Sequence, residues 1–83
     1  MEPEICLPMR QNGVYECYFC KEGEKRFASD VWLMTYDNRL IAASVCWSHS
    51  DEIAAGRLGK DSRIVLWGIS EKRVRERLRE MLG

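Results

Sequence analysis

One histidine, His49, occurs in the whole chain, and its solitude removes most hydrolytic chemistry. Ser48 and Ser50 flank it, but neither has a separate base to complete a nucleophilic set. Long apolar runs are also missing: no stretch approaches the roughly 20 residues that a membrane helix needs. The N-terminus, Met1-Glu2-Pro3-Glu4, is acidic where a secretory signal would be basic. The expectation is an intracellular, reducing, cytoplasmic setting with no membrane and no small-molecule substrate. Repeats, low-complexity tracts and linkers are lacking too, so residues 1–83 read as a single domain. Amides are scarce, with one Gln and two Asn, and Arg outnumbers Lys nine to four. That composition is a weak thermophile signal.

What the chain does contain is cysteine, at Cys6, Cys17, Cys20 and Cys46. In a secreted miniprotein four cysteines suggest two disulfides, whereas in a reducing compartment clustered cysteines more often hold metal. An 83-residue chain buries little core and gains from a staple of some kind. Cys17-Tyr18-Phe19-Cys20 and Cys46-Trp47-Ser48-His49 are two x-x pairs with 25 residues between them. Two short pairs far apart in sequence can supply a Cys₃His tetrahedron, a standard set for one structural Zn²⁺. The predicted metal ligands are Cys17, Cys20, Cys46 and His49. Cys6 is open to two readings, a replacement for His49 in a Cys₄ site or a buried thiol beside Ile5 and Leu7. A redox role for Cys17-x-x-Cys20 would need a βαβ context, which the chain after Cys20 does not offer.

Pro3, Pro8 and Asn12-Gly13 mark residues 1–13 as extended chain ending in a turn. Val14 to Cys17 reads as a short strand into the Cys-x-x-Cys loop. Phe27 to Tyr36 and Arg39 to Val45 flank Asp37-Asn38 as a β-hairpin. Val31, Leu33 and Thr35 would face one side, and Trp32, Met34 and Tyr36 the other, so both faces are expected to be covered. Cys46 to Leu58 reads as a helix with Ile53, Ala54 and Leu58 on one face. Cys46 and His49, at i and i+3, then share a side of its first turn. Lys60-Asp61 is expected as a loop and Arg63 to Ile69 as an apolar strand. Ser70 is a natural N-cap for a final helix from Glu71 to Leu82, with Val74, Leu78, Met81 and Leu82 as its apolar stripe.

The order of loop with Cys-x-x-Cys, β-hairpin, and ligand pair in a helix first turn resembles the treble-clef zinc finger over residues 14–58. Cys17-Tyr18-Phe19-Cys20-Lys21-Glu22 is similar to the opening of the ClpX-type zinc-binding domain and of small treble-clef ribosomal proteins. Val45-Cys46-x-x-His49 with Ile53 beyond continues the first likeness. The spacer is longer than in the ClpX type, and the last ligand is His in place of Cys. The Arg63 to Gly83 strand and helix match neither group. The resemblance implies a small α+β fold with an added C-terminal strand and amphipathic helix. Treble-clef nucleases of the HNH type use further histidines, which are missing here. A site with four protein ligands leaves no open position for water, so the expectation is a non-catalytic module.

Charge points to where such a module would bind. Net charge is zero, yet residues 1–56 carry five basic against nine acidic side chains, and residues 57–83 carry eight against four. Arg63, Lys72, Arg73, Arg75, Arg77 and Arg79 make a basic C-terminal cluster suited to phosphates. Tyr18 and Phe19, inside the Cys-x-x-Cys loop, are candidate stacking surfaces for single-stranded RNA or DNA. The bland alternatives are solvated arginine stems and core aromatics. Association with nucleic acid or a ribonucleoprotein is the first expectation. A protein-protein interaction adaptor or small homodimer is the second.

Overall fold

The computed structural model describes residues 2–66 and 70–83. Its elements are β1 (Glu4–Cys6), β2 (Asp30–Tyr36), β3 (Arg39–Val45), α1 (Trp47–Ala54), β4 (Lys60–Leu66) and α2 (Glu71–Leu82). The strands form one sheet in the order β1-β3-β2-β4. β2 runs antiparallel to both β3 and β4, and β1 joins β3 in parallel.

Asp37 and Asn38 connect β2 to β3 with φ of 51° and 59°. Two successive left-handed residues make the tight turn whose twist suits a hairpin, and Asp and Asn tolerate that region better than most. The register set by this turn runs without a break from Asp30 opposite Val45 to Tyr36 opposite Arg39. Alternation then sorts the side chains as expected. Trp32, Met34 and Tyr36 join Ile41, Ala43 and Val45 on one face, beneath α1 and the Cys-x-x-Cys loop. Val31 and Leu33 join Ala42 and Val65 on the other, beneath Val74 and Leu78 of α2. Burial on both faces explains why β2 and β3 are apolar at nearly every position.

Several boundaries differ from the sequence reading. Residues 1–13 contain a real strand, β1, whose three residues pair with Ile41, Ala42 and Ala43. Three residues between two prolines carry too little pattern to announce this. Val14 to Cys17 is no named strand, but isolated bridges join Met9 to Tyr15 and Glu16 to Phe27. β2 starts at Asp30, not Phe27. Lys60 and Asp61 belong to β4, not to a loop, and Asp61 sits at φ 48° where the pairing with β2 slips. The expected strand end at 67–69, with Trp67, lies outside the described residues.

α1 is shorter than expected and stops at Ala54, followed by Ala55 and then Gly56 at φ 76°. A left-handed glycine after the last turn ends a helix at no steric cost. Ala54 is exposed; Ile53 and Leu58 alone carry the apolar contact. α2 matches its expected limits, and Ser70 Oγ accepts a hydrogen bond from the Arg73 N–H at 3.4 Å. Val74 and Leu78 are buried and Met81 packs beside them, while Leu82 is half exposed. Among the described residues no helix is long and apolar enough to cross a membrane.

Candidate metal centre

Cys17 and Cys20 come from the loop before the hairpin, Cys46 from the N-cap of α1, and His49 from that helix's first turn. Backbone bonds bring the loop to the sheet. The Tyr18 N–H donates to the Ser44 carbonyl at 2.8 Å, and the Cys17 N–H to the Arg26 carbonyl at 2.9 Å. Ser44, fully buried on β3, donates its hydroxyl to the Glu16 carbonyl at 2.7 Å. Because Cys46 directly follows β3, the strand that receives the loop also delivers the helix.

The four ligand atoms lie within 4.8 Å of one another. Cys20 Sγ and Cys46 Sγ are 3.9 Å apart. His49 Nδ1 is 3.2 Å from the sulfurs of Cys17 and Cys46 and 3.6 Å from that of Cys20. A tetrahedral ion with bonds of about 2.3 Å to sulfur and about 2.0 Å to nitrogen places S–S edges near ~3.8 Å and S–N edges near ~3.5 Å. The cluster therefore has the dimensions of a four-coordinate N/S metal site, with Nδ1 the histidine donor. Cys6 lies outside it, half-buried against Tyr18 and the core, which answers the Cys₄ alternative.

The thiols differ in environment. Burial pushes Cys17 up to about 11, against weaker stabilisation of its thiolate by the backbone of Cys46, Phe19 and Cys20. Burial also raises Cys20, but the Arg26 backbone N–H, the Cys17 and Cys46 side chains and the Arg26 charge together bring it below the ordinary thiol value. Backbone amides aimed at sulfur are what a thiolate needs, and a bound cation supplies the remaining charge. Cys17 and Cys46 are buried, whereas Cys20 is partly exposed at a cleft of about 510 Å³ beside Lys21, Arg26 and Ser48.

A further group holds α1 in place. The Trp32 indole N–H donates to Ser50 Oγ at 2.9 Å, and the Ser50 hydroxyl donates to the Asp30 carboxylate. Asp30 pairs with Val45, one residue before Cys46. Ser50 is thus a buried hydrogen-bond hub. Sequence reading passed over this trio; its one signal was Ser50 standing four residues after Cys46, on the same helix face.

Tyr18 and Phe19 are the candidate stacking pair of the Cys-x-x-Cys loop. Both are partly buried against the core. Phe19 meets Tyr18 and Tyr36 edge-on, with centroids 5.1 Å and 5.0 Å apart, and lies 6.0 Å from the His49 ring. They wall the metal centre. Among the described residues, the aromatics left most open are Trp47 and Phe27, at 65% and 55% exposure.

The predicted basic residues are all exposed. Arg63 pairs with Leu33 across the sheet and so stands on the α2 face of the edge strand β4. On α2, Arg73 pairs with Glu76, Arg75 with Glu71 and Arg77 with Glu80 at 3.6, 2.7 and 3.1 Å. Among the described residues, Lys72 and Arg79 show no ion pair. The basic cluster is therefore brought to one side of the molecule, partly neutralised by its own helix and remote in sequence from the metal ligands.

Comparison of the chain with protein-family models, curated proteins and solved structures gave no match. Fold and site define a small α+β domain with a four-stranded sheet, two helices and a Cys₃His cluster able to hold a metal ion.

Proposed function

We propose that the chain is a non-catalytic module of the treble-clef type, built on one structural Zn²⁺ held by Cys17, Cys20, Cys46 and His49, and that it associates with nucleic acid or a ribonucleoprotein. The observation that carries the metal reading is the convergence of three sulfurs and one imidazole nitrogen at tetrahedral spacing. Four protein ligands leave a Zn²⁺ no open position, which supports a structural role over hydrolysis. An intracellular location fits a site that needs reduced thiols.

The nucleic-acid reading draws on α2, whose outer face carries Lys72, Arg73, Arg75, Arg77 and Arg79, with Arg63 nearby in the sheet. Exposed pairs with Glu71, Glu76 and Glu80 are weak, so phosphates can compete for these arginines. Binding to RNA and DNA is expected at low salt, weakening as salt rises. A charge-removing Arg75→Gln, Arg79→Gln variant should flatten the salt slope. Absence of binding to either polymer at low salt overturns this reading. A second reading, a protein adaptor or homodimer, rests on the apolar side chains left open at Trp47, Ile64 and Leu82. Light scattering and a nuclease-treated pull-down separate the two.

A further inference from the structure

The four metal ligands are unequal in access. Cys17 and Cys46 are 0% and 1% exposed, while Cys20 is partly exposed on a surface cleft that Cys46 and His49 also line. Lys21, Glu24 and Arg26 line the same cleft, so two cations and one carboxylate surround its mouth. The Cys20 and Cys46 sulfurs already touch at 3.9 Å. They come from separate elements, the loop and the α1 N-cap, and a bond between them would remove two of the four ligands. Cys17, by contrast, is fully buried, and its N–H is bonded to the Arg26 carbonyl at 2.9 Å.

We propose that Cys20 is the entry point of a peroxide-sensitive switch, with Cys46 as its resolving partner. The inference rests on the metal reading above. Cys20 thiolate attacks one peroxide oxygen; an S–O bond forms, the O–O bond breaks, and the departing hydroxide takes a proton to become water. Cys46 thiolate then attacks the Cys20 sulfur; the S–S bond forms, the S–O bond breaks, and a second water leaves after protonation. Two thiolates lose two electrons, peroxide gains them, and two protons are consumed. Cys17 and His49 alone cannot retain the ion in a closed site, so it departs. The loop and the α1 N-cap stay tied by the new disulfide, while Cys17 and His49 lose the ion that had joined them. A dithiol reductant reverses the step.

The test uses the full chain, first assayed for bound zinc, then treated with hydrogen peroxide. Zinc release is read with a chromogenic chelator, and the linkage by peptide mass mapping without reduction. The expected result is stoichiometric release, loss of two thiols per chain, a Cys20–Cys46 linkage, and recovery with dithiothreitol and zinc. Cys6→Ala should respond identically, because Cys6 lies outside the cluster. Zinc retained after peroxide, or a linkage mapped to Cys17–Cys20 or to Cys6, overturns the switch and leaves the metal reading standing. A chain that takes up no zinc before oxidant is added overturns both.

Discussion

The two faces of the sheet are held by different physics. On the α2 face, Val31, Leu33, Ala42 and Val65 meet Val74 and Leu78 of a twelve-residue helix. The contact there is apolar, and the helix brings its own stripe, cap and surface ion pairs. On the other face α1 has eight residues, no side-chain cap, and one fully buried aliphatic, Ile53. So short a helix is not self-sustaining. It is held by point contacts instead: Ser50 to Trp32 and Asp30, and Cys46 and His49 gathered with Cys17 and Cys20. The lesson is that a small domain can cover one sheet face by area and the other by a few directional bonds. The second solution suits a loop and a helix too short to bury much.

The largest test of this contrast is metal removal. Structural zinc in small domains contributes about 10–16 kcal/mol of apparent binding free energy, much of it folding free energy. Chelation should therefore abolish the cooperative thermal transition, followed by circular dichroism. Cys46→Ser should do likewise, and Cys6→Ser should not. The pH dependence has a definite sign. With Cys17 raised to about 11 by burial, the metal-free cluster holds that proton at neutral pH. Loading must expel it, so affinity should fall as pH drops, with proton release measurable by calorimetry in buffers of differing ionisation enthalpy. Any metal-free folded population behaves oppositely. Its stability is full below the ordinary thiol value of 9.0 and is lost as pH rises through about 11.

Next in size is the apolar face. Leu78→Ala, at a buried position, should cost about 2–5 kcal/mol in denaturant melts of the metal-loaded protein. Zinc stoichiometry should stay unchanged, because α2 touches no ligand. A loss of zinc in this variant would break the division between the faces. Ser50→Ala sharpens it from the other side. The change strands the Trp32 N–H and the Asp30 carboxylate, costing about 1–3 kcal/mol. Unlike Leu78→Ala, it should also speed zinc transfer to a competing chelator, since α1 then loosens beside His49. The smallest effect belongs to the surface. Glu71→Gln, which removes the exposed partner of Arg75, should shift stability by less than about 1 kcal/mol. If α2 is the phosphate-binding surface, that same change should strengthen binding to RNA or DNA.

Some of this was written in residue order. Period-two alternation through 31–36 and 39–45 assigned side chains to faces, since a strand offers only two. Asp37-Asn38 could close the hairpin because both tolerate the left-handed region. Ser70 and the 74-78-81 stripe set α2, since caps and helical periodicity are local properties. The Cys₃His group was legible as a candidate because x-x pairs are short-range constraints that any compatible fold must satisfy. Tertiary structure decided what depends on distant partners. It made a strand of Glu4–Cys6 by laying it against β3, where no local pattern asks for one. It turned Tyr18 and Phe19 inward, because Tyr36 and His49 arrive from elsewhere in the chain to receive them. It gave Ser50 a buried role through Trp32 and Asp30, about twenty residues upstream. And it left Cys20 the one partly exposed thiol of the cluster, beside buried Cys17 and Cys46, because access belongs to the assembled surface and not to any stretch of sequence.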